Sequence, residues 1–202
     1  MGRVRQIVGM TLLVPVFALL GLLTIIFGNL LRFLHLYKAA DAVIYVIIQV
    51  IIRWIYITLG ALVKVEGREN IPQKGERICY VPNHSSMVDI PVILGSGMWC
   101  GLVAKQELYK VPVLHGLLKV LHCLPIDRSS LRESAKTIFK GADQIKAGIP
   151  MCIFPEGTRS KTGVMGEMKA GAFKMAIKAK AKIVPVALGN TRFCLEGARS
   201  IK

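Results

Sequence analysis

Acidic residues are scarce in this chain: 12 Asp and Glu stand against 27 Lys and Arg, a formal charge of +15 over 202 residues. Before residue 64 the only acid is Asp41. A surface this poor in carboxylates suits anionic partners: nucleic acid, anionic lipid head groups or an acidic carrier protein. Nucleic acid is disfavoured in turn, because the basic residues lack interleaved aromatics and no recognised binding motif occurs. The five cysteines, Cys79, Cys100, Cys123, Cys152 and Cys194, are odd in number and contain no Cys-x-x-Cys. With no cluster at metal-ligand spacing either, they read as reduced thiols in a cytosol-facing domain. There is no internal repeat and no low-complexity tract.

Hydrophobic residues make up 53% of the chain, above the usual share for a soluble domain, and the excess lies before about residue 63. From Ile7 to Leu31 no charged residue occurs in 25 positions. As a helix that run is long enough to cross a hydrocarbon core of about 30 Å. Arg3 and Arg5 precede it, as in a signal peptide. The run is long for that role, however, and no clear small-residue cleavage site follows, so it reads as an uncleaved anchor. Ala42 to Val63 is a second apolar segment, interrupted by Arg53, an expensive residue at mid-bilayer. A shallow two-helix anchor on the cytoplasmic leaflet fits this better than a full hairpin or two buried core helices. Residues 1–63 are therefore expected to be a two-helix membrane anchor, and residues 64–202 a globular domain.

The later composition alternates. Val65-Glu66-Gly67 and Arg77–Pro82 read as strands, Ser129–Gly148 as a helix opened by a Ser130/Glu133 capping box. Met151–Phe154 reads as a strand, Lys169–Ala181 as a helix and Ile183–Leu188 as a strand. Alternating strands and helices predict an α/β fold with a largely parallel or mixed central sheet flanked by helices. Ligands of such sheets gather at the carboxyl ends of the strands.

Two strand-end segments carry the chemistry. Asn83-His84-Ser85-Ser86-Met87-Val88-Asp89 follows an apolar strand. With His84 in the turn and Asp89 in the first turn of a helix, the carboxylate can take the Nδ1 proton and leave Nε2 to accept one from a hydroxyl. The same residues also read as a plain capping box, Ser86-x-x-Asp89. No Gly-x-Ser-x-Gly nucleophile signature occurs, which favours direct attack by a substrate hydroxyl over an acyl-enzyme. Phe154-Pro155-Glu156-Gly157-Thr158-Arg159-Ser160 ends a second strand. Its Arg159 presents a planar fork suited to phosphate, and Glu156 could hold that arginine or a substrate hydroxyl. Lys105 and Arg128 are further candidates for phosphate or for polarising a carbonyl. The four histidines form no metal-ligand set.

Taken in order, these blocks resemble the 1-acyl-sn-glycerol-3-phosphate acyltransferase family, the PlsC type of glycerolipid acyltransferase. Asn83, His84 and Asp89 match its Asn-His-x-x-x-x-Asp block. Lys105, Glu107, Leu108, Pro112, Gly116, Asp127 and Arg128 match its second block. Phe154 to Ser160 match the third, Lys169, Gly171 and Ala172 the fourth, and Val184-Pro185-Val186 the last. The resemblance implies transfer of a fatty acyl group from acyl carrier protein or coenzyme A to the sn-2 hydroxyl of lysophosphatidic acid, giving phosphatidic acid. It implies His84 as general base and Asp89 as its partner. Arg159, with Glu156, Gly157 and Thr158, would hold the glycerol phosphate. No metal or resident cofactor is implied. Nearby alternatives are an acyltransferase for glycerol-3-phosphate or another lysophospholipid; a different class is a non-catalytic membrane protein that binds anionic lipid. Two departures stand out. Ser85 replaces the family's usual Gln, and the sequence stops soon after the last block, as in a short or clipped member.

Overall fold

The computed structural model describes residues 2–73 and 75–195. Seven helices and five strands occur among them: α1 (Gly2–Phe33), α2 (Tyr37–Leu59), β1 (Ile78–Pro82), α3 (Asp89–Gly95), β2 (Gly101–Lys105), α4 (Pro112–Val120), β3 (Leu124–Ile126), α5 (Leu131–Lys146), β4 (Met151–Cys152), α6 (Ala170–Ala179), β5 (Lys182–Val186) and α7 (Thr191–Leu195). They divide into two compact units. One holds residues 1–64 and 108–120, the other residues 65–107 and 121–202. A single cut at residue 63 misses that α4 packs with the N-terminal helices, because local periodicity does not say which distant helix a short amphipathic helix will join.

In the first unit α1 and α2 form a helical hairpin, turned at His35 in the left-handed region (φ 57°). Close approach is set by glycines. A Cβ at Gly28 would meet Ile44, one at Gly21 would meet Val113 and Leu117, and one at Gly116 would lie 2.4 Å from Ile25 Cδ1. Val14–Phe33 and Tyr37–Leu59 are each long and apolar enough to cross a membrane. Much of their apolar surface faces outward, including Leu19, Leu22, Phe27, Phe33, Val46 and Ile57.

In the second unit the sheet order is β3-β2-β4-β1-β5, and every pairing is parallel. All five strands thus end at one edge. Cys79 and Val81 of β1 alternate with Tyr80 and join Met151, Ile153, Ile138, Ile145 and Met175 in one core, which packs α5 and α6 on a face of the sheet. The Ser130 hydroxyl caps α5 by accepting from Glu133 N–H, while the Glu133 carboxylate pairs with Lys136. Val65-Glu66-Gly67 is not a strand; a strand needs a ladder partner, which a pattern of three residues does not supply. Leu124–Ile126 is one, its proline accommodated at the edge of the sheet.

Candidate active site

Pro82 ends β1 and the chain turns at Asn83–Val88 before α3 begins at Asp89. The turn is fixed from outside by Asn83. Its amide donates to Leu188 O (3.0 Å) and accepts from Leu188 N–H (2.7 Å). His84 Nδ1 lies 2.7 Å from Asp89 Oδ2, which also accepts from the N–H groups of Ser85 (2.7 Å) and Ser86 (2.9 Å). One half of the capping box, Asp89 accepting from Ser86 N–H, therefore shares a carboxylate oxygen with the His–Asp pair, while the Ser86 hydroxyl accepts from Val88 N–H (3.1 Å).

Asp89 is fully buried. Burial alone would raise its pKa, but the bonds from His84, the Thr191 hydroxyl and the Ser86 and Ser85 amides outweigh it and hold the carboxyl below its ordinary 3.8. An ionised carboxylate can only accept, so the proton in the 2.7 Å contact belongs to Nδ1. In a neutral imidazole Nε2 is then the bare nitrogen, able to take a proton. Asp89 Oδ1 is buried without a well-formed hydrogen bond. Thr191 is itself buried and 3.0 Å from the Ser85 hydroxyl, so Ser85 and Thr191 back the carboxylate together.

The β4 loop closes on the same histidine. The Phe154 ring stacks on the imidazole, centroids 3.9 Å apart and 24° between planes. Ser160 N–H donates to His84 O (2.8 Å). Glu156 is buried, and its two oxygens accept from His84 N–H (2.6 Å) and Gly166 N–H (2.8 Å). Both Glu156 oxygens are thus engaged by backbone amides, so this carboxylate ties the His84 turn to the loop that follows β4. Gly157 adopts φ 71°, and a Cβ there would meet the Lys169 ammonium at 3.1 Å. That glycine thus serves a left-handed turn and a close cation at once. Thr158 and Arg159 are exposed next to it.

Lys105 and Arg128 stand farther off, at the ends of β2 and β3. At strand level those lie two and three spacings from β1, roughly 10 and 14 Å. Lys105 is exposed and pairs with Glu107 (2.9 Å). Desolvation lowers the Arg128 pKa, opposed by the Glu107 charge. Among the described residues no three His, Cys, Asp or Glu side chains group as a metal site would.

The acyltransferase family profile matches residues 62–189, well over half of the chain. The chain belongs to the acyltransferase family. Within that family, a chloroplastic 1-acyl-sn-glycerol-3-phosphate acyltransferase of Arabidopsis thaliana is 32% identical over 129 residues, 64% of this chain and 36% of that one. A probable 1-acyl-sn-glycerol-3-phosphate acyltransferase of Mycoplasma pneumoniae is 29% identical over 218 residues, 99% of this chain and 76% of its own. The crystal structure of the 1-acyl-sn-glycerophosphate acyltransferase of Thermotoga maritima superposes with a TM-score of 0.70 at 27% identity, covering 92% of this chain and 74% of that one. The chain thus spans little more than a third of the chloroplast relative's length. The acyltransferase match contains all eight expected site residues. It ends two residues before Thr191, which no motif flagged. Phe154 and Lys169 were visible as motif residues, but their places against His84 and Gly157 depend on long-range packing.

Proposed function

We propose that this chain transfers a fatty acyl group from a thioester, acyl carrier protein or coenzyme A, to the sn-2 hydroxyl of lysophosphatidic acid. The observation that supports this is the 2.7 Å His84–Asp89 contact: with the ionised carboxylate accepting from Nδ1, Nε2 is left basic. The acceptor hydroxyl oxygen attacks the thioester carbonyl carbon as its proton passes to Nε2. The C–S bond then breaks, and the imidazolium returns the proton to the leaving thiolate. Asp89 holds the ring and stabilises its cationic form; a dyad of this kind acts without an enzyme nucleophile.

Arg159, the Gly157–Thr158 backbone and Lys169 give the phosphate a cationic cradle beside His84. Lys105 and Arg128 add positive charge along the same sheet edge for the phosphate or the carbonyl oxygen. Glu156 acts through the backbone of His84 and Gly166, not on the substrate. The two apolar helices attach the chain to the membrane at its cytoplasmic face, where lysophosphatidic acid and the product phosphatidic acid reside.

Competition among lysophosphatidic acid, glycerol-3-phosphate and lysophosphatidylcholine, run with each thioester donor, tests the acceptor. Lysophosphatidic acid is expected to win. A clear preference for the acceptor without a phosphomonoester would rule the proposal out.

A further inference from the structure

The segment from Ser160 to Lys169 is neither helix nor strand, yet it is firmly held at the site. Ser160 N–H reaches His84 O, Gly166 N–H reaches Glu156, and Lys169 N–H reaches Pro155 O (3.0 Å). Between those ties it turns three large apolar side chains outward: Val164 is 72% exposed, Met165 58% and Met168 41%. Phe193 of α7, two residues from Thr191, is 50% exposed. So much apolar surface on a pinned loop stabilises nothing within this unit and marks a contact surface. Cations accompany it. Lys161 and Lys169 flank the apolar residues, and the Arg192 guanidinium lies against Gly163; Glu167 is the one acid of the segment.

We propose that the Ser160–Lys169 loop, with Arg192 of α7 against it, docks the rim of the active site onto an anionic bilayer, as a second attachment independent of the N-terminal helices. Apolar side chains framed by lysine and arginine match the boundary between acyl chains and anionic head groups. A second protein surface would need no such cationic frame. The docking sets His84 at the lipid surface, so that an acceptor slides sideways into the site instead of leaving the bilayer. That consequence rests on the acyl-transfer reading; the docking itself does not.

The test uses the full chain in vesicles of phosphatidylcholine and phosphatidylglycerol. The indole introduced by Val164→Trp should be quenched by lipids brominated on their acyl chains, beyond the quenching of Trp54 and Trp99 in the parent chain. In parallel, combined Val164→Ser, Met165→Ser and Met168→Ser should slow transfer to vesicle-borne lysophosphatidic acid by at least about tenfold, the loss expected when a small apolar contact is removed. Transfer to a short-chain lysophosphatidic acid, monomeric in water, should be unchanged. An indole at position 164 that bromolipids do not quench overturns the proposal, whether it is open to water or shielded by another copy of the chain. So does an equal loss on both acceptors. A parent chain inactive on either acceptor but with the indole quenched would leave the docking standing and end the acyl-transfer reading.

Discussion

The two compact units solve opposite packing problems with similar residues. In the helical unit, leucine, isoleucine and phenylalanine face outward along α1 and α2, and glycines set the contact lines inside. In the α/β unit the core residues of the sheet, α5 and α6 turn inward, and large apolar side chains left outside include those of the Ser160–Lys169 loop. The difference teaches where each kind of substitution should register. On the proposed function, substitutions beside the buried Asp89 carboxylate should register in acyl transfer, and those on the outward apolar face of α1 and α2 in membrane attachment, with the Ser160–Lys169 loop as the second contact proposed.

The sharpest way to break this division is His84→Ala. It should lower acyl transfer by at least about a thousandfold, on the scale of losing a general base and its partner, while sedimentation with membranes stays at the parent level. Asp89→Asn should lose somewhat less, about a hundredfold or more. A His84→Ala chain that no longer sediments would show that the two units are not separable in this way.

Glycine replacements sharpen the comparison at the level of packing. A Cβ at Gly101 would lie 2.5 Å from the His122 carbonyl oxygen, a backbone atom that cannot move alone. Gly101→Ala should therefore destabilise the α/β unit by about 1–3 kcal/mol, seen as a melting transition several degrees lower. At Gly116 the obstacle is a side chain, Ile25 Cδ1 at 2.4 Å and Cγ1 at 2.9 Å. Gly116→Ala should cost about 1 kcal/mol, the lower end of the same range, and leave the melting of the α/β unit where it was. Equal shifts would mean that Ile25 is locked as rigidly as backbone.

The smallest effect concerns the thiols. Burial pushes Cys79 and Cys123 up to about 12, and Cys152 is raised by burial and by the neighbouring Cys100. A raised thiol pKa keeps the reactive thiolate rare until the pH approaches that value. At pH 8 a thiol reagent should modify Cys194, the one cysteine not fully buried, quickly and the others only after unfolding. Rapid reaction of two or more thiols would show that the α/β core opens easily.

Much of this was legible in the sequence. His84 and Asp89 could be paired from chain logic alone, because a strand end, a short turn and a helix start bring residues five apart together. The same logic placed the Phe154–Ser160 loop at a strand end. Roles that depend on distant partners were not legible. Nothing local shows that both Glu156 oxygens serve backbone amides, that Phe154 stacks on the imidazole, or that Thr191 backs Asp89. Pro112 and Gly116 sit in a motif block shared with Lys105 and Arg128, yet they belong to the helical unit, where Gly116 lies against Ile25; spacing carries no record of which unit a helix joins.

The proposed chemistry turns on the location of one proton. Nitrogen-15 spectra of histidine-labelled protein in micelles report the tautomer of each neutral imidazole directly, with His84→Ala identifying the signal. Nδ1 of His84 should carry the proton and Nε2 should be bare, and Asp89→Asn should abolish that bias. A signal showing Nε2 protonated and Nδ1 bare would contradict the account, because the nitrogen meant to accept the hydroxyl proton would already hold one.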